Sequence, residues 1–163
     1  MKLLEDEDYL TMALEATQSC QDVSFYGVGC VVVTPEGRVF KGFTGEERHS
    51  KSLGSRQKHA EEIAIEKARR QGVSLKGATL YSTLEPCSER RSGLTPCVAM
   101  IISSGITRVV YGAKEPYHPD LKIICRGDRM LREAGIEVLQ LIHFEKICLA
   151  SALKGCKPAG TCN

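Results

Sequence analysis

A three-layer α/β/α sandwich around a mixed five-stranded sheet is the fold this chain predicts, and three observations carry that expectation. Apolar, β-branched runs of strand length recur at residues 29–34, 38–44, 78–83, 107–113 and 136–141. In the second half these runs alternate with helical stretches, which calls for crossover connections and for helices on both faces of the sheet. The first two runs are joined only by Pro35-Glu36-Gly37, a turn, so they form a hairpin beside the crossover strands.

The elements follow in order. Residues 6–20 place Leu10, Ala13, Leu14 and Thr17 at helical spacing, with acids massed at the start, where the helix dipole favours them. After the hairpin, residues 45–57 are polar and basic without periodicity and predict a loop. Residues 58–71 predict a second helix, with Ile63, Ala64, Lys67 and Ala68 at helical spacing and Gly72 just past its end. Residues 98–103 predict a short buried helix closed by Gly105, and 127–134 another. Residues 143–153 predict a terminal helix.

One domain accommodates all 163 residues, with residues 155–163 as a flexible tail. A hydrophobic content of 42% is enough for a substantial core, yet no run is long enough to span a membrane. Residues 1–8 carry four acids and one lysine, unlike a secretory signal, so the expected location is the cytoplasm. A net charge of +2 and the absence of tryptophan weigh against a nucleic-acid groove, where basic and stacking residues dominate.

Eight cysteines in so core-rich a chain are expected to be reduced rather than a disulfide scaffold. Cys30 sits in a strand run and is expected as a small buried apolar side chain, as are Cys20, Cys125 and Cys148. Cys156 and Cys162, in the lysine- and glycine-rich tail, form an oxidised pair, a second metal site or neither.

Two cysteines stand apart. His59-Ala60-Glu61 is followed by Pro86-Cys87 and then Pro96-Cys97, so each cysteine directly follows a proline. His59, Cys87 and Cys97 make a three-donor set for zinc, and a catalytic zinc keeps its fourth position open for water. Such a zinc makes hydroxide available near neutral pH. Glu61, two residues along the helix from His59, points to a different side and is expected to carry protons rather than bind metal. On the predicted elements His59 and Cys97 each open a helix and Cys87 lies on the preceding loop, where helix N-termini favour thiolate.

The pattern H-x-E followed by P-C-x-x-C resembles the zinc deaminases, and the chain is similar to the cytidine-deaminase-like superfamily from Gly27 to Val138. One departure is plain: nine residues, Ser88 through Pro96, separate Cys87 from Cys97, where the usual pattern has two. Within the superfamily, Thr83-Leu84-Glu85-Pro86-Cys87-Ser88 is similar to the pyrimidine deaminases of riboflavin biosynthesis. The long insert resembles their fungal branch, as do the stretches Tyr111 to Pro116 and Leu131 to Val138.

That resemblance implies one zinc per chain and deamination of 2,5-diamino-6-ribitylamino-4(3H)-pyrimidinone 5′-phosphate by zinc hydroxide, with Glu61 as proton shuttle. It also implies a homodimer or homotetramer, and deamination alone, since no reductase domain is present in the sequence. Bacterial members carry a proline-asparagine-proline whose asparagine contacts substrate; the matching stretch here is Ser24-Phe25-Tyr26. Phe25 or Tyr26 then stacks on the ring or belongs to the core. Arg48, His49, Lys51 and Arg56 in the loop before His59, and Arg90 and Arg91 in the insert, are candidates for a substrate phosphate or a plain basic surface. Glu85 and Ser88 flank Cys87 as candidates for ring contacts.

Other functions remain open on sequence alone. The same chemistry on another base, nucleoside or nucleotide needs no different motif. Nucleic-acid editing is disfavoured by charge, and a purely structural zinc by Glu61, which a closed four-ligand site has no use for.

Overall fold

The computed structural model describes residues 3–21 and 23–154. The order is α1 (Asp6–Thr17), β1 (Gly29–Val33), β2 (Val39–Phe43), α2 (Ala60–Arg70), β3 (Thr79–Leu84), α3 (Cys97–Ser104), β4 (Arg108–Ala113), α4 (Gly127–Glu133), β5 (Glu137–Gln140) and α5 (Glu145–Leu153). The five strands lie in the order β2-β1-β3-β4-β5. β1 pairs antiparallel with β2 and β3, with Val31 opposite both Lys41 and Tyr81. β3–β4 and β4–β5 are parallel, as a strand–helix–strand connection permits.

Side chains alternate across the strands and so split the core into layers. Cys30, Val32, Leu80, Val109 and Tyr111 point to the face covered by α2, α3 and α4. Val31, Tyr81 and Val110 point the other way, onto Leu10 and Ala13 of α1. α5 completes that second face with Cys148 against Gly112, and its Cys148 and Ala152 cluster with Leu84 and Ala113 at the strand ends. The three-layer sandwich is therefore as expected. Among the described residues, no helix is long and apolar enough to cross a membrane.

Several local expectations need correction. Residues 45–57 are not a plain loop: they hold a 3-10 turn (Lys51–Leu53) and a bridge between Arg48 and Gln57, which folds the segment back on itself. Hydrogen bonds from side chains, invisible to apolar periodicity, hold it there. Lys58 pairs with Glu47 and Glu66, and Arg70 reaches Glu47 through two nitrogens. Lys67 is not core-facing: its ammonium donates to the Lys41 carbonyl and pairs with Glu46. Cys20, Cys30 and Cys148 are buried, but Cys125 is only half-buried and hydrogen-bonds the Pro86 carbonyl. The tail with Cys156 and Cys162 lies outside the described residues.

Candidate metal centre and its cavity

The centre is assembled where β3 ends and two helices begin. His59 is the cap residue preceding α2, in extended conformation, and Cys97 is the first residue of α3. Cys87 lies on the loop leaving β3. The cysteine sulfurs each lie 3.5 Å from His59 Nδ1. The backbone N–H of Cys97 points at Cys87 Sγ from 3.3 Å, so the free N–H groups of α3 serve the thiolate directly. Among the described residues this trio is the one group of three or more histidine, cysteine or carboxylate side chains whose donor atoms lie within 4.8 Å of one another.

A tetrahedral zinc with bonds of about 2.1 Å to nitrogen and about 2.3 Å to sulfur needs nitrogen–sulfur edges of about 3.6 Å, so the trio fits that ion. Its charge state fits as well. The hydrogen bond from Cys97 draws the Cys87 thiol well below its ordinary range, whereas burial pushes Cys97 well above it. Two such sulfurs at one point ionise together only around a cation. His59 is raised because the hydrogen bond and charge of Cys87 outweigh the burial that opposes its charged form.

Glu61 sits in the first turn of α2 and is buried. Its Oε2 accepts from Cys97 Sγ at 3.4 Å, and Ser82 Oγ approaches Oε1 at 3.5 Å. Burial lifts its carboxyl above the usual range, and its charge adds to the burial that lifts Cys30 beneath it.

A cavity of about 530 Å³ opens over this group, lined by His59, Glu61 and Cys87 at one end. Phe25, Tyr26, Arg48, Arg56, Glu85, Arg90 and Arg91 also line it. Tyr26 is at the same time core, its hydroxyl donating to the Pro116 carbonyl. Arg48 gives one nitrogen to the Ser55 carbonyl and Arg91 one to that of Asp120, and both remain exposed.

Several candidates are placed otherwise than the sequence suggested. Lys51 is exposed and away from the cavity. His49 turns to Glu62, with Nε2 3.3 Å from Oε1 but off the line of a good hydrogen bond. Ser88 is buried and accepts from the Arg126 N–H, while Glu85 accepts from that of Asp128. Both thus clamp the start of α4 against the metal loop, though Glu85 still borders the cavity. That clamp explains Gly127, where a Cβ would stand 1.9 Å from the Pro86 carbonyl oxygen.

The cavity also shows residues the sequence did not mark: Gln57, Glu115, Leu121 and Ile123. Burial, with the Cys87 charge second, raises the Glu115 carboxyl to about 7. A signal for Glu115 existed, since a carboxylate just past the carboxyl end of a parallel strand lies where α/β sheets bind ligands. Leu121 and Ile123 fall in an aperiodic stretch and left none.

Comparison with known proteins agrees with this geometry. Residues 4–113 match the cytidine and deoxycytidylate deaminase zinc-binding region. The chain is 35% identical over 161 residues to the diaminohydroxyphosphoribosylamino-pyrimidine deaminase of Schizosaccharomyces pombe, covering 97% of this chain and 37% of that one. It is 36% identical over 138 residues to the riboflavin biosynthesis protein RibD of Escherichia coli, covering 83% and 33%. The chain thus spans about a third of the length of these curated relatives. Among solved structures, it superposes on a Thermotoga maritima diaminohydroxyphosphoribosylaminopyrimidine deaminase/5-amino-6-(5-phosphoribosylamino)uracil reductase with a TM-score of 0.73 at 32% identity, over 90% of this chain and 39% of that one. The Aspergillus oryzae Rib2 deaminase in complex with DARIPP gives 0.71 at 25%, over 93% and 92%.

Proposed function

The chain belongs to the cytidine and deoxycytidylate deaminase family, and on that premise we propose that it hydrolytically deaminates an aminopyrimidine. The substrate we propose is the diamino-ribitylamino-pyrimidinone 5′-phosphate of riboflavin biosynthesis. One observation carries this: a single cavity is lined by His59, Glu61 and Cys87 and also by Arg48, Arg56 and Arg91. A proton carrier and a metal-donor set therefore share a pocket with cations suited to a phosphate. The names of the relatives support the pyrimidine, and the resemblance of the Cys87–Cys97 insert to the fungal branch supports the ribityl form.

Zinc held by His59, Cys87 and Cys97 would supply the Lewis acidity that activates water at neutral pH. The chain's own residues do the rest. Glu61, with its raised affinity for protons, accepts a proton from the attacking water. The ring carbon gains oxygen and loses its amino group as ammonia. One hydrogen of the water ends on the ring nitrogen and the other on the ammonia, and Glu61 is placed to move both. Leu84, Leu121 and Ile123 line the cavity with apolar surface for the ring. Arg48 and Arg56 on one loop and Arg91 on the insert leave guanidinium donors for the phosphate.

We also propose a cytoplasmic homodimer or homotetramer. Exposed Ile142, Ile147 and Leu153 near the C-terminal helix support self-association, which light scattering tests.

Ammonia release by zinc-loaded protein decides the substrate. The panel is the ribityl phosphate, its ribosyl analogue, cytidine, deoxycytidylate, adenosine, guanine and a transfer-RNA anticodon stem. Turnover confined to the ribityl phosphate is expected. Turnover of cytidine, deoxycytidylate or another base instead would overturn the substrate and leave the deaminase.

A further inference from the structure

The insert between Cys87 and Cys97 does more than close a loop. Gly93, at a φ of 75°, turns it back so that its N–H bonds the Arg90 carbonyl at 2.9 Å. That turn carries Arg90 inward until its side chain is only 5% exposed. Burying a guanidinium is costly unless it is paired and hydrogen-bonded, so its partners indicate its purpose. Arg90 NH1 and NH2 each lie 3.0 Å from Glu62 Oε2, and NH2 lies 3.5 Å from Cys97 Sγ. Glu62 is the neighbour of Glu61, so one turn of α2 presents a carboxylate to the centre and the next carboxylate to Arg90.

We propose that Arg90 is a positioning residue, held by Glu62, whose guanidinium draws electron density from the Cys97 sulfur and so sets how strongly that sulfur donates to a bound metal. A hydrogen bond to a ligating thiolate weakens its donation, and groups of this outer kind tune both metal and reaction. Two thiolates cancel a divalent charge and blunt its Lewis acidity; a fixed cation on one of them restores part of it. A spacing of two residues between the cysteines leaves no room for such a side chain, whereas nine do. Arg90 is thereby assigned to the metal centre rather than to the substrate phosphate. The inference rests on the trio holding a metal.

Cobalt(II) replacing zinc tests it, because the sulfur-to-cobalt charge-transfer band reports sulfur donation directly. Arg90→Gln is expected to move that band to longer wavelength and to lower kcat roughly 10- to 100-fold with KM little changed. Arg90→Lys, which keeps the charge without the fork, should return the band part of the way. If Arg90→Gln does not fold, Glu62→Gln serves in its place, since a loosened guanidinium should shift the band in the same direction. A cobalt-loaded variant with the wild-type band would overturn the role of Arg90 alone and leave it as a mere partner of Glu62. Failure of the wild-type protein to take up cobalt would overturn the metal centre and this role together.

Discussion

Glu61 is the residue on which chemistry and structure can be separated. Its oxygens face Cys97 Sγ and Ser82 Oγ at the edge of the trio rather than completing it. Glu61→Gln keeps shape and hydrogen-bonding reach but cannot carry protons. Turnover should fall by roughly 10² to 10⁴ while metal content stays near about one zinc per chain. Zinc lost along with turnover would make Glu61 a ligand. Cys97→Ala, at a fully buried donor, should instead lower both metal content and thermal stability; full zinc retention would point to another thiol, such as Cys125. Glu115 has a different signature. Its carboxyl is raised by burial to about 7, so folding favours its protonated form. That contribution is complete below the ordinary carboxylate pKa and is lost as pH rises through about 7. Glu115→Gln should match the wild type at pH ~4 and exceed it at pH ~8, by at most about 3 kcal/mol. Melting curves at both pH values check this, and a gap that opens toward acid would refute it.

At the scale of elements, positions that look incidental in the sequence hold the site together. Gly127 permits the Pro86 carbonyl to sit against α4, which lets Glu85 and Ser88 accept from the N–H groups of Asp128 and Arg126. Gly127→Ala should therefore cost more than about 2 kcal/mol and lower zinc retention, because the loop bearing Cys87 must shift. A variant with unchanged melting and metal content would show that α4 merely leans on that loop. The same region shows what the sequence could convey. Helices and strands with repeating apolar spacing, and the His59, Glu61, Cys87 and Cys97 pattern, were legible because spacing fixes which side chains share a face or a helix start. The Arg48–Gln57 bridge, the clamp on α4 and the inward turn of Arg90 were not. Each depends on a polar contact across many residues, and a basic side chain in a loop has the same sequence signature whether it meets a phosphate, a carboxylate or water. Arg90, a candidate for a phosphate contact or a plain basic surface, finds its partner in Glu62, twenty-eight residues away.

On the scale of the whole molecule, the centre joins parts of the chain that the sheet alone leaves loosely tied. His59 leads α2 on β1 and β2, Cys87 leaves the middle strand β3, and Cys97 starts α3 on the way to β4. A metal bound there links both halves of the mixed sheet at the ends of its strands. Unfolding must separate all three donors, so binding energy becomes folding energy. With free zinc at about a thousand times its dissociation constant, linkage contributes about 4 kcal/mol, or on the order of 10 °C in Tm for a domain of this size. Calorimetry of chelated and reloaded protein should show that rise, reversed by chelator and concentrated in a single transition. The antiparallel β1–β2–β3 hairpin layer and the parallel β3–β4–β5 layer share one sheet, so the apo protein should still unfold as one unit, only at lower temperature. Equal melting temperatures with and without zinc would mean that the trio does not hold metal in the folded chain, and the proton chemistry assigned to Glu61 would lose its partner.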